Sequence, residues 1–313
     1  MPDIAIIGLS PLGIALGRAV RSSVQGISVA GFDPDSATGR RAVETGALDD
    51  APRSAAAALA GAKLVVLSSP LASASDALRI IGEFAPSGCV ITDTCPLKAP
   101  LLRWAEERLP DGMHFVGGRP VPRTFSEGAE ASFDGTDYAI IPSATASGEA
   151  VEAVTGLARA VGASPFFLDA AEHDSFVIAT EYLPRIAAGA AVDAVSASPV
   201  WRDVRRLQGD AFSQALRTAA ELDPEEIAIV LECAPETFRS WLDRLAGATS
   251  GLWEAALAKP DAAEAAKRLA ELIEARVDRL SDAPPAHAPA LERQSFSSLL
   301  LGDWLGRRNR RQG

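Results

Sequence analysis

Two glycines and an acid near the N-terminus are spaced for binding a dinucleotide. Gly8 ends an apolar run, Ile4 to Ile7; Gly13 falls inside the helical pattern that follows; Asp33 closes the next apolar run, Ile27 to Phe32. In a strand–turn–helix unit that seats a pyrophosphate, the first glycine makes the tight turn and a middle one lets backbone approach the phosphates. The third lets helix and strand pack closely, and the later acid takes the ribose hydroxyls. Gly8, Gly13 and Asp33 fit those roles, but Ser10 occupies the middle position and Pro11 deletes an amide donor. One reading keeps a phosphate site at the positive end of the helix. The other is an ordinary turn, with Ser10 as N-cap and Pro11 at the first helical position. The sequence favours retained cofactor binding through Gly8, Ser10, Pro11, Leu12, Gly13 and Asp33, joined by Ser68, Ser69, Pro70 and Asp93 after later strands. The Asp33 carboxylate accepts from ribose hydroxyls and repels a 2′-phosphate, which favours NAD over NADP.

A second group is cationic: Arg119, Arg123 and Arg185, with Tyr182 beside the last. Guanidinium forks suit a dianion or a phosphate; the alternative is salt bridges to Glu181, Asp93 or Glu127. Asp93 and Lys98 make a third pair. A buried lysine can move protons, but such a pair more often pins the helix that follows it, and that second reading is preferred. Cys89, Cys95 and Cys233 have no metal-type spacing and read as reduced thiols. No metal is expected.

These residues need a scaffold. Strands are expected at 3–8, 27–33, 63–69, 88–93, 113–117, 137–142 and near 163–168, with helices at 11–22, 35–46, 72–85, 97–109 and 147–161. Apolar strands alternating with helices imply an α/β, doubly wound, mostly parallel sheet. Its ligands bind beyond the carboxyl ends of the strands, where strand order reverses. From about 170 the pattern is wholly helical, with stretches at 170–197, 199–221, 224–247 and 250–280 and a break at Pro235. The expected division is a dinucleotide-binding domain at 1–168 and an all-α domain at 169–282. A Pro/Ala linker at 283–294 and a basic amphipathic tail at 295–313 follow. Long apolar helices in so small a domain suggest a homodimer. The tail either packs on its own protein or touches lipid or a partner protein.

The chain has 313 residues, 48% hydrophobic and 23% charged, with a net charge of −11. That is the composition of a globular protein with a real core, and its acidity argues against a nucleic-acid partner. No stretch approaches the length of a membrane span, and the first strand starts too early for a leader peptide; a cytoplasmic protein is expected.

Taken in order, the motifs resemble the prephenate/arogenate dehydrogenase family of tyrosine biosynthesis. The resemblance spans about residues 1–280: Gly8 to Gly13, Gly31 to Asp33, Ala62 to Pro70, Ile91 to Lys98, Phe115 to Val121, Glu172 to Asp174, Glu181 to Arg185 and Ser198 to Asp203. It implies a Rossmann domain, a helical dimerisation domain and an active site in the cleft between them. The implied reaction is NAD-dependent oxidative decarboxylation of a cyclohexadienol acid. It also implies a histidine base and an arginine clamp, and here the chain departs from the pattern. The histidine of the family's Gly-Gly-His-Pro-Met run falls on Arg119, and the serine of its Thr-Asp-x-x-Ser-x-Lys run on Pro96. The two histidines of its Ser-His-Leu-Pro-His run fall on Tyr182 and Arg185, and its usual arginine falls near Ala194. An arginine does not act as an ordinary general base, and an unperturbed phenol titrates near 10. Two functions therefore stay open. One is an NAD-dependent oxidoreductase with an altered catalytic set; the other is a non-catalytic descendant that binds NAD or an acidic metabolite as a sensor or partner protein.

Overall fold

The computed structural model describes residues 1–121, 132–258 and 261–281. Arg123, Glu127, the linker and the basic tail lie outside the described residues. The chain divides into two compact units, Met1–Asp174 and a second that begins at Ser175.

The first unit is built on a seven-stranded sheet of order β2-β1-β3-β4-β5-β6-β7. Its strands are β1 (Ile4–Ile7), β2 (Val29–Phe32), β3 (Leu64–Leu67), β4 (Val90–Asp93), β5 (His114–Pro120), β6 (Asp137–Pro142) and β7 (Ser164–Phe167). From β2 across to β5 every pairing is parallel; β6 runs antiparallel to β5, and β7 parallel to β6. β1 and β3 are buried at every residue, as expected for parallel strands covered on both faces, which read as unbroken apolar runs. The chain leaves β1 to make β2 on one side and then crosses back to make β3 on the other. Strand order therefore reverses at β1, and the crevice beyond the carboxyl ends of β1 and β3 is where such sheets hold ligands.

The helices of this unit are α1 (Pro11–Ser23), α2 (Ser36–Glu44), α3 (Ala55–Leu59), α4 (Leu71–Phe84), α5 (Ala99–Arg108) and α6 (Gly148–Ala160). Several are started by short polar side chains: Ser10, Asp35, Ser54 and Ser147 each accept a backbone N–H of the first turn. The short α3 was not expected from periodicity. Its signal is local, a serine cap followed by alanines, the best helix formers. One buried cluster holds Leu16 and Val20 of α1, Ile4 and Ile6 of β1, Val154 and Leu157 of α6, and Tyr138 and Ile140 of β6. Arg119, expected just beyond the fifth strand, lies inside β5, which runs on to Pro120 because it pairs along its length with β6.

The helical segments that follow are α7 (Ala170–Val177), α8 (Leu183–Ser196), α9 (Trp201–Val204), α10 (Asp210–Ala220), α11 (Pro224–Cys233), α12 (Pro235–Leu257) and α13 (Ala262–Ser281). The expected start at Asp223–Pro224 is present, Asp223 accepting the Glu225 N–H at 2.8 Å, and the break at Pro235 is also present. The single helix expected over 170–197 is instead interrupted by a π-helical turn, Ile178–Tyr182. Pro184 explains this correction: it offers no amide, and its ring crowds the carbonyl four residues back. The ladder widens there, and the Leu183 N–H donates to the Ile178 carbonyl five residues earlier. The stretch 199–221 is likewise divided, with Gly209 ahead of α10. The last long stretch breaks after Leu257 rather than at 247–250.

Candidate functional site

The carboxyl edge of the sheet gathers most of the expected residues of the first unit. Gly8 turns with φ +78°, and a Cβ there would lie 2.7 Å from the Ser69 backbone. Gly13 lies under Ser68, whose Oγ would be 2.4 Å from an added Cβ. The turn is therefore pressed against the end of β3, and the first and third glycines do what the fingerprint asks of them. At the end of β2 the Asp33 carboxylate accepts the Leu9 N–H on Oδ2 and the Asp35 N–H on Oδ1, each at 2.9 Å. These bonds fix a carboxylate acceptor beside the turn. These residues fit a dinucleotide.

Ser10 is the departure. It caps α1, its Oγ accepting the Gly13 N–H at 3.2 Å, with Pro11 at the first helical position. Capping does not exhaust it, because the same oxygen lies 2.7 Å from Ser68 Oγ, which in turn lies 2.8 Å from Thr94 Oγ1. Ser68 is fully buried, so among the expected cofactor contacts it touches Ser10 and Thr94 rather than the crevice. Pro70 is exposed at the start of α4, and the Ser69 hydroxyl donates to the Pro70 carbonyl at 3.4 Å. The Thr94 link was not read from the sequence, and only register could have shown it: Leu67 of β3 pairs with Asp93 of β4.

Asp93 is corrected from cofactor contact to structural anchor. Both it and Lys98 are 0% exposed, with Nζ to Oδ2 at 2.5 Å. The carboxylate also accepts the Cys95 N–H at 2.7 Å and the Gly118 N–H at 3.1 Å, while Lys98 Nζ donates to the Cys95 carbonyl at 2.7 Å. The pair closes the loop that carries Pro96, the position of the family's serine, and leaves no hydroxyl there. Asp174, far along the chain, accepts the Lys98 N–H at 2.7 Å and the Ala99 N–H at 2.8 Å, capping α5. His173 Nδ1 lies 2.8 Å from Asp174 Oδ1, which makes Nδ1 the protonated nitrogen of a neutral ring. Burial holds the His173 pKa below its ordinary value, against the opposing pull of the Asp174 hydrogen bond. Its Nε2 is buried with no partner among the described residues.

Arg119 is half-buried in β5, its Nη1 3.4 Å from the Thr94 carbonyl. In the second unit, Tyr182 sits in the π-turn and donates to Glu226 Oε2 at 3.3 Å. Arg185 pairs with Glu181 at 3.1 Å, one of the salt-bridge partners considered from the sequence, and with Glu221 at 3.2 Å. Two carboxylates thus meet the guanidinium expected to clamp substrate. Among the described residues no group of histidine, cysteine and acidic side chains is arranged to hold a metal, and no helix is long and apolar enough to cross a membrane.

The comparisons with known proteins point to the same fold. Residues 16–166 match the family model described as prephenate dehydrogenase, nucleotide-binding domain. A prephenate dehydrogenase of Bacillus subtilis is 25% identical over 226 residues, 69% of this chain. The match spans only 60% of that relative's length. A probable prephenate dehydrogenase, NovF, of Streptomyces niveus is 25% identical over 91% of this chain and 78% of its own. Among solved structures, the prephenate dehydrogenase from A. aeolicus in complex with hydroxyphenyl propionate and NAD+ superposes with a TM-score of 0.74. It is 22% identical and covers 90% of this chain and 98% of its own. Synechocystis arogenate dehydrogenase gives a TM-score of 0.66 at 19% identity, over 89% of this chain and 99% of its own. The likeness to prephenate dehydrogenases lies in the nucleotide-binding domain, and the solved structures share the fold.

Two outcomes test the anchoring network. Lys98→Met leaves the Asp93 carboxylate buried without its cation and should destabilise the protein by about 3–5 kcal/mol in urea denaturation; an unchanged midpoint would remove the pair from its structural role. For His173 the folded pKa is depressed, so the unfolded chain takes up a proton first as pH falls below the ordinary value of 6.5. Stability is then full above that pH and declines as pH drops towards the folded pKa. Denaturation curves across this range should show a shallower decline in His173→Gln than in the natural protein.

Proposed function

We propose that this protein is an NAD-linked oxidoreductase of the prephenate/arogenate dehydrogenase type, acting on a small acidic substrate. The observation that carries the reading is the Asp33 carboxylate, held by the Leu9 and Asp35 amides beside the Gly8–Gly13 turn, at the point where strand order reverses. NAD bound there would supply the hydride acceptor. Asp33 would take the ribose hydroxyls, and its charge together with that of Asp35 would repel a 2′-phosphate, so NAD is favoured over NADP. Asp35 stays ionised: the Ala37 N–H and the Thr38 hydroxyl hold its carboxyl below the usual range. In this reading Arg119 pairs with a substrate carboxylate and does not abstract a proton. The chain therefore lacks a histidine base where its relatives' motif has one, and general base catalysis contributes roughly 10²–10⁴-fold in rate. Turnover of prephenate itself should be slow.

One observation favours a second reading, a non-catalytic descendant that binds NAD or an acidic metabolite as a sensor or partner protein. Arg185 is met by two carboxylates and Tyr182 is bonded to Glu226, so both positions of the family's histidine pair are occupied by contacts within the protein.

Mixing purified protein with NAD and prephenate or arogenate, and following the absorbance of reduced nicotinamide, separates the two. Turnover that is lost in Arg119→Ala and absent with NADP supports the enzyme. Binding of NAD by calorimetry without turnover supports the descendant. No heat with either oxidised or reduced dinucleotide removes both cofactor readings.

The helical unit is proposed to mediate a homodimer. Trp253 of α12 is 62% exposed, and Leu216, Leu231 and Ile273 of its other helices also face solvent in the single chain. Analytical ultracentrifugation should give about twice the chain mass, and Trp253→Glu should lower it; a monomer at all concentrations would dismiss the interface.

A further inference from the structure

The phosphate turn has few main-chain donors left for a ligand. Leu9 N–H is taken by Asp33, Ser10 N–H by the Ser68 carbonyl at 3.1 Å, and Gly13 N–H by Ser10 Oγ; Pro11 has none. Among residues 9–13 only the Leu12 N–H has no acceptor in the described structure. A pyrophosphate needs more than one hydrogen-bond donor, and the family's usual solution, backbone exposed by a middle glycine, is absent.

The hydroxyl chain supplies an alternative. Ser10, Ser68 and Thr94 are linked by two hydrogen bonds, in either of which each oxygen can donate. Three hydroxyls carry three protons, and two bonds consume two of them. The third is left at one end of the chain, or on the fully buried Ser68 where both neighbours donate to it. At the inner end, Thr94 is 5% exposed; at the outer end, Ser10 is half-buried and adjoins exposed Pro11. If Thr94 donates to Ser68 and Ser68 to Ser10, the spare proton is on Ser10. Ser10 Oγ then accepts from both Ser68 and the Gly13 N–H, and two incoming bonds polarise its own O–H into a stronger donor. An anion at the helix start selects this direction, because only a donor at that end stabilises it.

We propose that Ser10 is a cofactor-binding residue whose hydroxyl donates to the pyrophosphate in place of the missing glycine contact. Ser68 and Thr94 are positioning residues that set the direction of its proton. This rests on the reading that the first unit seats NAD. It gives the Ser10 hydroxyl a specific part in the cofactor binding expected of this turn, beyond the N-cap.

N-cap preferences separate these roles. As a cap, glycine falls only a few tenths of a kcal/mol short of serine, whereas alanine falls about 1 kcal/mol short. If capping or obstruction were the whole role of Ser10, Ser10→Gly would bind NAD as well as the natural protein or better. If the hydroxyl donates to the pyrophosphate, Ser10→Gly and Ser10→Ala should both bind NAD about tenfold more weakly, as for loss of a hydrogen bond to a charged group. Ser10→Thr keeps the hydroxyl and should stay within about threefold of the natural protein. Ser68→Ala removes the positioning bond but not the donor, and should fall between. Calorimetric titration of each folded variant with NAD reads these values, and thermal unfolding without ligand reports any capping loss separately. Tight binding by Ser10→Gly overturns the proposal and leaves the cofactor reading intact. Absence of binding by the natural protein overturns both.

Discussion

Where β1 ends, the chain must reverse within van der Waals reach of the β3 backbone, and a side chain at Gly8 would collide with Ser69. The same fit brings Gly13 under Ser68, and with it the start of α1. The polar groups around the turn inherit their positions from this contact. It brings the Leu9 amide to Asp33, the Ser10 amide to the Ser68 carbonyl, and the Ser10 hydroxyl to Ser68. The residue that departs from the fingerprint is thus held by the feature that obeys it.

A second tier of buried charge supports the neighbouring loop. Asp93 gathers two amides and an ammonium, and Asp174 caps the helix that follows. Burying an ion pair is costly unless its remaining hydrogen bonds are met; here the Cys95 and Gly118 N–H groups donate to Asp93, and Lys98 also donates to the Cys95 carbonyl. That economy also explains why Asp93 and Lys98 are spent on structure. An ammonium enclosed by a carboxylate and a carbonyl at 0% exposure does not reach into a crevice. Arg185 shows the same logic at the surface of the helical unit, its charge met by Glu181 and Glu221.

Much of this protein could be read before its fold was seen. Six of the seven strands fall within the runs that announced them, and β5 runs on past its own to Pro120; strands buried on both faces, such as β1 and β3, demand unbroken apolar segments. The π-turn at Ile178–Tyr182 was missed although Pro184 was visible, since apolar periodicity continues across it. The short α3 was missed because five residues carry no measurable period. Of the candidate site, Gly8, Gly13 and Asp33 were legible because each role depends on local backbone or on the end of one strand. The Ser10–Ser68–Thr94 chain was not, because its members are separated by 58 and 26 residues.

The amino-acid sequence by itself determined the alternation of strands and helices, the sharp turn at Gly8 and the likeness of the motif series, since these follow from apolar period, backbone freedom and residue order. Only the tertiary structure decided what each polar side chain does. Ser10 could block, cap or donate; Asp93 could touch a ligand or an ammonium; Arg185 could clamp a substrate or two glutamates. A polar group acts on whichever partner lies within about 3 Å of it, and that partner is chosen by how the sheet is ordered.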